Sequence, residues 1–315
     1  MLALWSRASP CAPGQALTTW EMDIKQHDGT RWLAKSVTVW MLALLLAGVV
    51  LSGRVQARNT VHWAYSSFLG TGWYQVDSGL DVYVLRAPLS WDWRATDPAK
   101  KGAAGFGLTV DLPVTFGLQQ VDGFDELLDI DNIGTVSFTP GIEAEWAVTE
   151  RWWLRGYTHL GWGIDTQGDE QAWVWDLGLK SRYTVGNPEQ PVGLFTEIFA
   201  AGYWPDEGSA SSLGGLGAGM DFRTPLAWHN SGGQQFELAW DLSYRWYGDQ
   251  LTFNTTLQDS TTITDEWRLG AALALRERRI KIWLFEFDQL GLGYRISSDG
   301  QFRGLTVNLA GPFRR

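Results

Sequence analysis

The 315-residue sequence contains one cysteine, Cys11. That rules out a disulfide within the chain and any metal centre built on several thiolates. No apolar run reaches the about 20 residues a membrane helix needs, so a polytopic helical protein is excluded. Helical periodicity is scarce beyond residue 80, which leaves a βαβ architecture without helices. Basic residues are in deficit: 25 Lys and Arg stand against 35 Asp and Glu, a formal charge of −10. An acidic balance of this size is a poor match for nucleic acid.

Tryptophan and glycine, in contrast, are abundant, at 20 and 36 residues. Trp and Tyr concentrate where a membrane meets water. The one helix-like apolar run, Val37–Leu51, follows Lys25, Arg31 and Lys35 and precedes the small residues Val55 and Ala57. A charged flank, a short apolar centre and small residues before a cut describe a secretory signal. Residues 22–57 are therefore expected to be a signal peptide beginning at Met22, and residues 1–21 a non-native upstream start. An uncleaved anchor is the alternative. Five of the 25 bases and three of the 35 acids precede residue 58, which leaves 20 against 32 in residues 58–315, a charge of −12. Cys11 falls in the removed part, so no thiol chemistry is expected of the exported chain.

From residue 80 the chain alternates with period two. In FELAWDLSYRW, Phe236, Leu238, Trp240, Leu242, Tyr244 and Trp246 alternate with Glu237, Asp241 and Arg245. Alternation puts one class on each face of a strand. Similar segments are expected near 80–94, 105–119, 135–148, 152–165, 171–185, 191–203, 213–224, 234–247, 263–276, 284–297 and 301–313. Most exceed the strands of a soluble sandwich and suit a membrane crossing, which takes about 9 to 11 tilted residues. The fold expected is an all-β, antiparallel up-and-down transmembrane barrel filling residues 58–315. Bacterial barrels have even strand numbers, with short turns on the periplasmic side and longer loops outside. Placing Thr149–Arg151 and Gly186–Gln190 inside, and 120–134, 166–170, 204–212 and 248–262 outside, requires one more strand. Tyr65–Val76 supplies it and makes twelve; ten is the alternative, with 191–203 or 284–297 misread.

The last segment, GLTVNLAGPF from Gly304 to Phe313, sets Leu305, Val307, Leu309 and Phe313 on one face. It resembles the terminal signal by which the barrel-assembly machinery recognises outer-membrane barrels, with Gly304, Val307, Leu309 and Phe313 as its elements. Phe302 and the trailing Arg314 and Arg315 depart from that pattern. The stretches LRAPLSWDW (85–93), LTVDLPVTFGL (108–118), VSFTPGIEAEW (136–146) and QLGLGYR (289–295) extend the likeness. Over residues 73–313 the chain resembles twelve-stranded autotransporter translocators, and more closely a group of solitary outer-membrane barrels. The resemblance implies a bacterial outer membrane, with membrane lipids and lipopolysaccharide as surroundings. Fewer than ten residues separate the expected cut from the first strand, so no secreted passenger is expected.

By alternation the lumen receives the acids Asp111, Glu143, Glu145, Asp176, Glu197, Asp221, Glu237 and Asp241. Its bases are Arg86, Arg155, Lys180, Arg182, Arg223, Arg245, Arg268 and Arg295. Buried charges must be wet or paired. Near-equal numbers favour a structural ion-pair network over a selective conduit, which would carry one sign. A passive channel for small polar solutes remains the alternative. Of His62, His159 and His229, only His159 projects inward, near Arg155 and Tyr157. A lipid-modifying enzyme centred on His159 is a third reading, but a lone histidine on a polar face is more often a packing residue, and no GxSxG motif accompanies it. No enzyme activity, cofactor or metal is therefore expected. GGLGAG (214–219) opens no helix, so it marks close packing on a strand rather than a dinucleotide loop. The acidic DGFDELLDID (122–131) lacks EF-hand spacing and is expected to be a solvated outer loop. Asn254-Thr255-Thr256 is a sequon without bearing on a bacterial protein.

Overall fold

The computed structural model describes residues 66–76, 80–96, 105–118, 133–166, 170–187, 190–207, 210–230, 233–254, 260–276, 280–282 and 285–313. The upstream start, the signal segment 22–57 and the acidic stretch 122–131 lie outside the described residues, as do Thr255 and Thr256 of the sequon.

A four-residue helical turn, α1 (Ser66–Leu69), leads into β1 (Gly72–Val76), β2 (Leu80–Ala87), β3 (Ser90–Arg94), β4 (Gly107–Asp111), β5 (Val114–Leu118), β6 (Ile133–Phe138) and β7 (Gly141–Ala147). Longer strands follow: β8 (Trp152–Asp165), β9 (Gln171–Asn187), β10 (Gln190–Pro205), β11 (Ser211–His229), β12 (Gln235–Asn254) and β13 (Ser260–Leu275). A small hairpin, β14 (Ile280–Ile282) and β15 (Phe285–Phe287), precedes β16 (Gln289–Ile296) and β17 (Phe302–Asn308). Every pairing is antiparallel. The sheet closes because β1 pairs with both β2 and β17, and β8 pairs with β9 as well as β6 and β7.

The closed sheet holds fifteen segments, but three of its staves are each split in two, so it is a twelve-stranded barrel. The splits fall between β2 and β3, β4 and β5, and β6 and β7, at Pro88, Pro113 and Pro140. Proline has no N–H to give to a ladder. The register Ala87↔Val114 and Ser90↔Asp111 puts Pro88 opposite Pro113, and the breaks continue into β6–β7 as one seam. Single bonds stitch it: Leu112 N donates to Leu89 O (2.7 Å), Thr139 N to Pro113 O (3.2 Å) and Leu160 N to Pro140 O (3.0 Å). Unbroken β8 ends the seam.

The outer surface is apolar. Leu85, Ile142, Leu160, Leu194, Met220, Leu242, Leu269, Leu292 and Leu305 point outward between two aromatic girdles. Trp91, Trp93, Trp152, Tyr183 and Trp228 ring the mouth at which the chain enters β1 and leaves β17; Trp162, Trp173, Trp204, Trp246 and Trp267 ring the other. Ten residues separate Trp152 from Trp162, roughly 33 Å of strand and, at the usual tilt, ~25 Å of height. That is the apolar height of a transmembrane barrel.

Several strand boundaries differ from expectation: the stretch Tyr65–Val76 holds the helical turn Ser66–Leu69, so β1 begins only at Gly72, and β11 runs on to His229 instead of ending near 224. β12 continues past Trp246 to Asn254 after a register shift between Trp246 and Leu251, so much of the supposed loop 248–262 is ladder. The segment expected at 284–297 divides into the β14–β15 hairpin and β16. β17 stops at Asn308 rather than Phe313. Leu118, assigned to the oily face, is buried, because the ladder slips between Gly117 and Leu118.

Candidate functional site

The lumen contains three layers. Toward the mouth ringed by Trp173 and Trp204, it is filled by an apolar cluster that includes Val76, Val174, Tyr203, Leu213, Ile263 and Phe302. They face inward like the charged residues, and their apolar character ties them to one another instead of to water. Burial of each large side chain there stabilises by about 1.5–3 kcal/mol.

Below it lies the charged layer, which strand register assembles. One row of register partners runs Gly107, Glu145, Arg155, Lys180, Glu197, Gly217, Arg245 and Glu266 through β4, β7, β8, β9, β10, β11, β12 and β13. Arg155 bonds Glu143 at 2.6 Å and also Glu145. Arg245 joins Glu197 (2.9 Å) to Glu266 (3.3 Å), and Arg295 closes onto Glu266. Arg268 lies 3.4 Å from Asp241, without a hydrogen bond at that nitrogen, and donates to Asn308 Oδ1 at 2.7 Å. Nearer the terminal mouth, Arg223 sits 3.6 Å from Glu237 and is well exposed, so that pair contributes little.

Several contacts jump a strand, and a glycine underlies them. Tyr157 Oη donates to Glu197 at 2.8 Å over Gly178, and Arg182 reaches Asp221 over Gly193. Glu197 meets Arg245 over Gly217, the fourth residue of GGLGAG. A Cβ on Gly178 or Gly193 would overlap the side chain crossing it. Elsewhere in the GGLGAG run, Gly215 and Gly219 make room for the Phe199 and Phe195 rings.

His159 uses the same device. The row Asp111, Gly141, His159, Asp176 crosses β4, β7, β8 and β9, and the imidazole lies over Gly141, where a Cβ would collide with it. His159 is 2% exposed; its Nδ1 is 2.8 Å from Asp176 Oδ1 and its Nε2 is 3.7 Å from Asp111 Oδ2. Ligand atoms of Asp111, Glu143 and His159 all lie within 4.8 Å of one another.

The third layer is a cavity of about 480 Å³ at the terminal mouth. Arg86, Asp111, Glu143, Glu145, Arg155, His159, Lys180, Arg245, Arg268 and Arg295 all line it. Both ends of the barrel chain turn into this space. Arg295 Nη1 and Tyr74 Oη each donate to Leu69 O at the end of α1, the arginine bond being 2.9 Å. After β17, Gln289 Nε2 donates to Ala310 O (3.2 Å) and Lys180 Nζ to Pro312 O (3.0 Å), while Arg155 stands 5.2 Å over the Phe313 ring.

The structure therefore divides the four residues of the terminal motif. Val307 faces outward as expected, and Gly304 faces the Tyr74 ring, 2.7 Å from where its Cβ would be. Leu309 and Phe313 do not extend the lipid-facing row: the ladder ends at Asn308, Leu309 lines the cavity and Phe313 lies against Arg155. Alternation could not foresee a chain that leaves the sheet. Glu266, which belongs to the charged row, is missing from the sequence-derived lumen set, although it stands two residues before Arg268.

No family model matches the chain, and no curated protein sequence matches it. Among solved structures it is similar to the β-domain of the Bordetella autotransporter BrkA, with 13% identity and a TM-score of 0.42 over 75% of this chain and 95% of that one. It is also similar to LpxR from Salmonella typhimurium, with 12% identity and a TM-score of 0.39 over 74% of this chain and 90% of that one.

Proposed function

We propose that this chain is an integral protein of a bacterial outer membrane whose lumen is closed, serving as a non-enzymatic membrane scaffold rather than a conduit. Membrane lipids and lipopolysaccharide surround its apolar belt, and the barrel-assembly machinery inserts it. The observation that supports this reading is the charged row, in which Glu145, Arg155, Glu197, Arg245 and Glu266 neutralise one another across neighbouring strands. A conduit would present one sign of charge to its solute. The apolar cluster around Tyr203 and Phe302 and the inward-turned segments at Leu69 and Pro312 occupy the lumen above and below that row. Planar-bilayer recording of the purified full chain tests it: no discrete current steps are expected, and steps of fixed size would overturn it.

A lipid-modifying activity is the second reading, favoured by the His159–Asp176 pair on the cavity wall. Its substrate would have to enter the cavity, because His159 faces away from the lipid belt. A lipid A change in producing cells that disappears with His159→Ala would establish it in place of the scaffold.

A further inference from the structure

We propose that Asp111, Glu143 and His159 form a binding site for one divalent transition-metal ion, of which Zn²⁺ is the best chemical match, inside the lumen and open to the cavity. This goes beyond the closed-barrel reading and does not depend on it.

Three observations converge. The Asp176 carboxylate accepts a hydrogen bond from His159 Nδ1 at 2.8 Å, which fixes the ring tautomer and turns Nε2 toward Asp111. A carboxylate behind a histidine is the usual outer partner of a metal-bound imidazole. Asp111 Oδ2 is buried, makes no hydrogen bond, and lies 3.7 Å from Nε2. Two ligand atoms on one zinc ion, each at about 2.0–2.2 Å, stand up to about 4 Å apart. Glu143 completes the triangle, with all three ligand atoms within 4.8 Å of one another, so a small rotation of its carboxylate brings it into range.

The local charge has the right sign. Asp111, Glu143, Glu145 and Asp176 gather four carboxylates here; of the bases on the cavity wall, Arg155 is bonded to Glu143 and Glu145, Arg245 and Arg295 are bonded to Glu266, and Lys180 is directed toward Pro312 O, 3.0 Å away. One imidazole and two carboxylates suit zinc better than magnesium or calcium, which prefer oxygen alone. Three protein ligands with a cavity on the remaining side leave a position for water or an anionic group. The seam at Pro113 and Pro140 places Asp111 and Gly141 at cut strand ends, and Gly141 removes the side chain that would separate His159 from Asp111.

The test uses the full chain, untagged, chelator-stripped and folded in detergent, with ZnCl₂ as the titrant in calorimetry. One ion per chain is expected, with a dissociation constant in the micromolar range or tighter. Asp111→Asn and His159→Gln should each weaken it at least tenfold, Asp176→Asn about tenfold, and Glu237→Gln at the mouth less than twofold. Asp111→Asn keeps the shape of a group without a hydrogen bond, and heat-modifiable gel mobility confirms that each variant is a folded barrel. Zinc-edge X-ray absorption of the loaded wild type gives a readout that needs no variant, namely scattering from one imidazole. No saturable binding, binding unchanged within twofold by both Asp111→Asn and His159→Gln, or an ion without imidazole would each overturn the proposal.

Discussion

Arg182 and Asp221 form a two-pronged ion pair, Nε to Oδ2 at 2.9 Å and Nη2 to Oδ1 at 2.6 Å, although the strands that carry them are not neighbours. β10 runs between them, and Gly193 is the residue underneath. The pair consequently ties three strands together. Gly193→Leu should push the guanidinium off Asp221 and destabilise the barrel by about 1–3 kcal/mol, the usual cost of overpacking. The midpoint of the heat-induced gel shift measures it, and an unchanged midpoint would show that the pair is decorative.

The glycines are not equivalent, and a matched pair of alanine variants separates them. A Cβ on Gly161 would run into the backbone of Phe138 and Thr139 where the proline seam meets β8, and backbone cannot move aside. A Cβ on Gly217 would rest 3.4 Å from Glu197 Cβ, close to ordinary contact. Gly161→Ala is expected to lose most folded protein, and Gly217→Ala to retain it. Equal yields would mean that the seam is softer than its geometry indicates.

Glu266 accepts from both Arg245 and Arg295 while only 3% exposed. Removing one member of a buried pair leaves the other charge stranded, at about 3–5 kcal/mol, whereas replacing both with apolar residues is often neutral. Glu266→Leu should therefore be severe and Glu266→Leu with Arg295→Met much milder. A double-mutant cycle on urea unfolding from detergent reads the coupling. Additive effects would argue that water reaches the charges.

Much of this fold was legible because a barrel writes its inside and outside on alternate residues. Eleven of the strands, and the inward rows containing Glu143 and Glu145 or Asp176 and Lys180, follow from period two; the twelfth, at Tyr65–Val76, followed only from even strand number and the sidedness of the turns. Pairing between rows depends on register, which one strand's sequence does not contain. That is why His159 stood as a lone histidine until Gly141 brought Asp111 beside it. Glu266 was obscured by its neighbour Asp265: two successive acids cannot both follow strict alternation, and the structure binds Asp265 to Ser298 instead. Prolines 88, 113 and 140 lie inside segments expected to be continuous strands, and only the register shows them to be one seam.

Phe313 offers a sharper division between sequence pattern and geometry. As the late aromatic of a terminal assembly signal it would sit at the end of the lipid-facing row, beside Val307. In the structure the sheet ends five residues earlier, and the ring faces the guanidinium of Arg155, which is also held by Glu143 and Glu145. A cation–π contact of this kind is worth about 0.5–2 kcal/mol. Phe313→Ala is therefore expected to leave the amount of assembled barrel within twofold of wild type while lowering its thermal midpoint slightly. Val307→Arg places a charge on the lipid face, at up to about 2–4 kcal/mol if near the midplane, and should reduce assembly strongly. Quantifying heat-modifiable protein in membrane fractions compares the two. Loss of assembly with Phe313→Ala alone would mean that the phenylalanine is recognised before it folds inward, and that its place against Arg155 is taken up only after insertion.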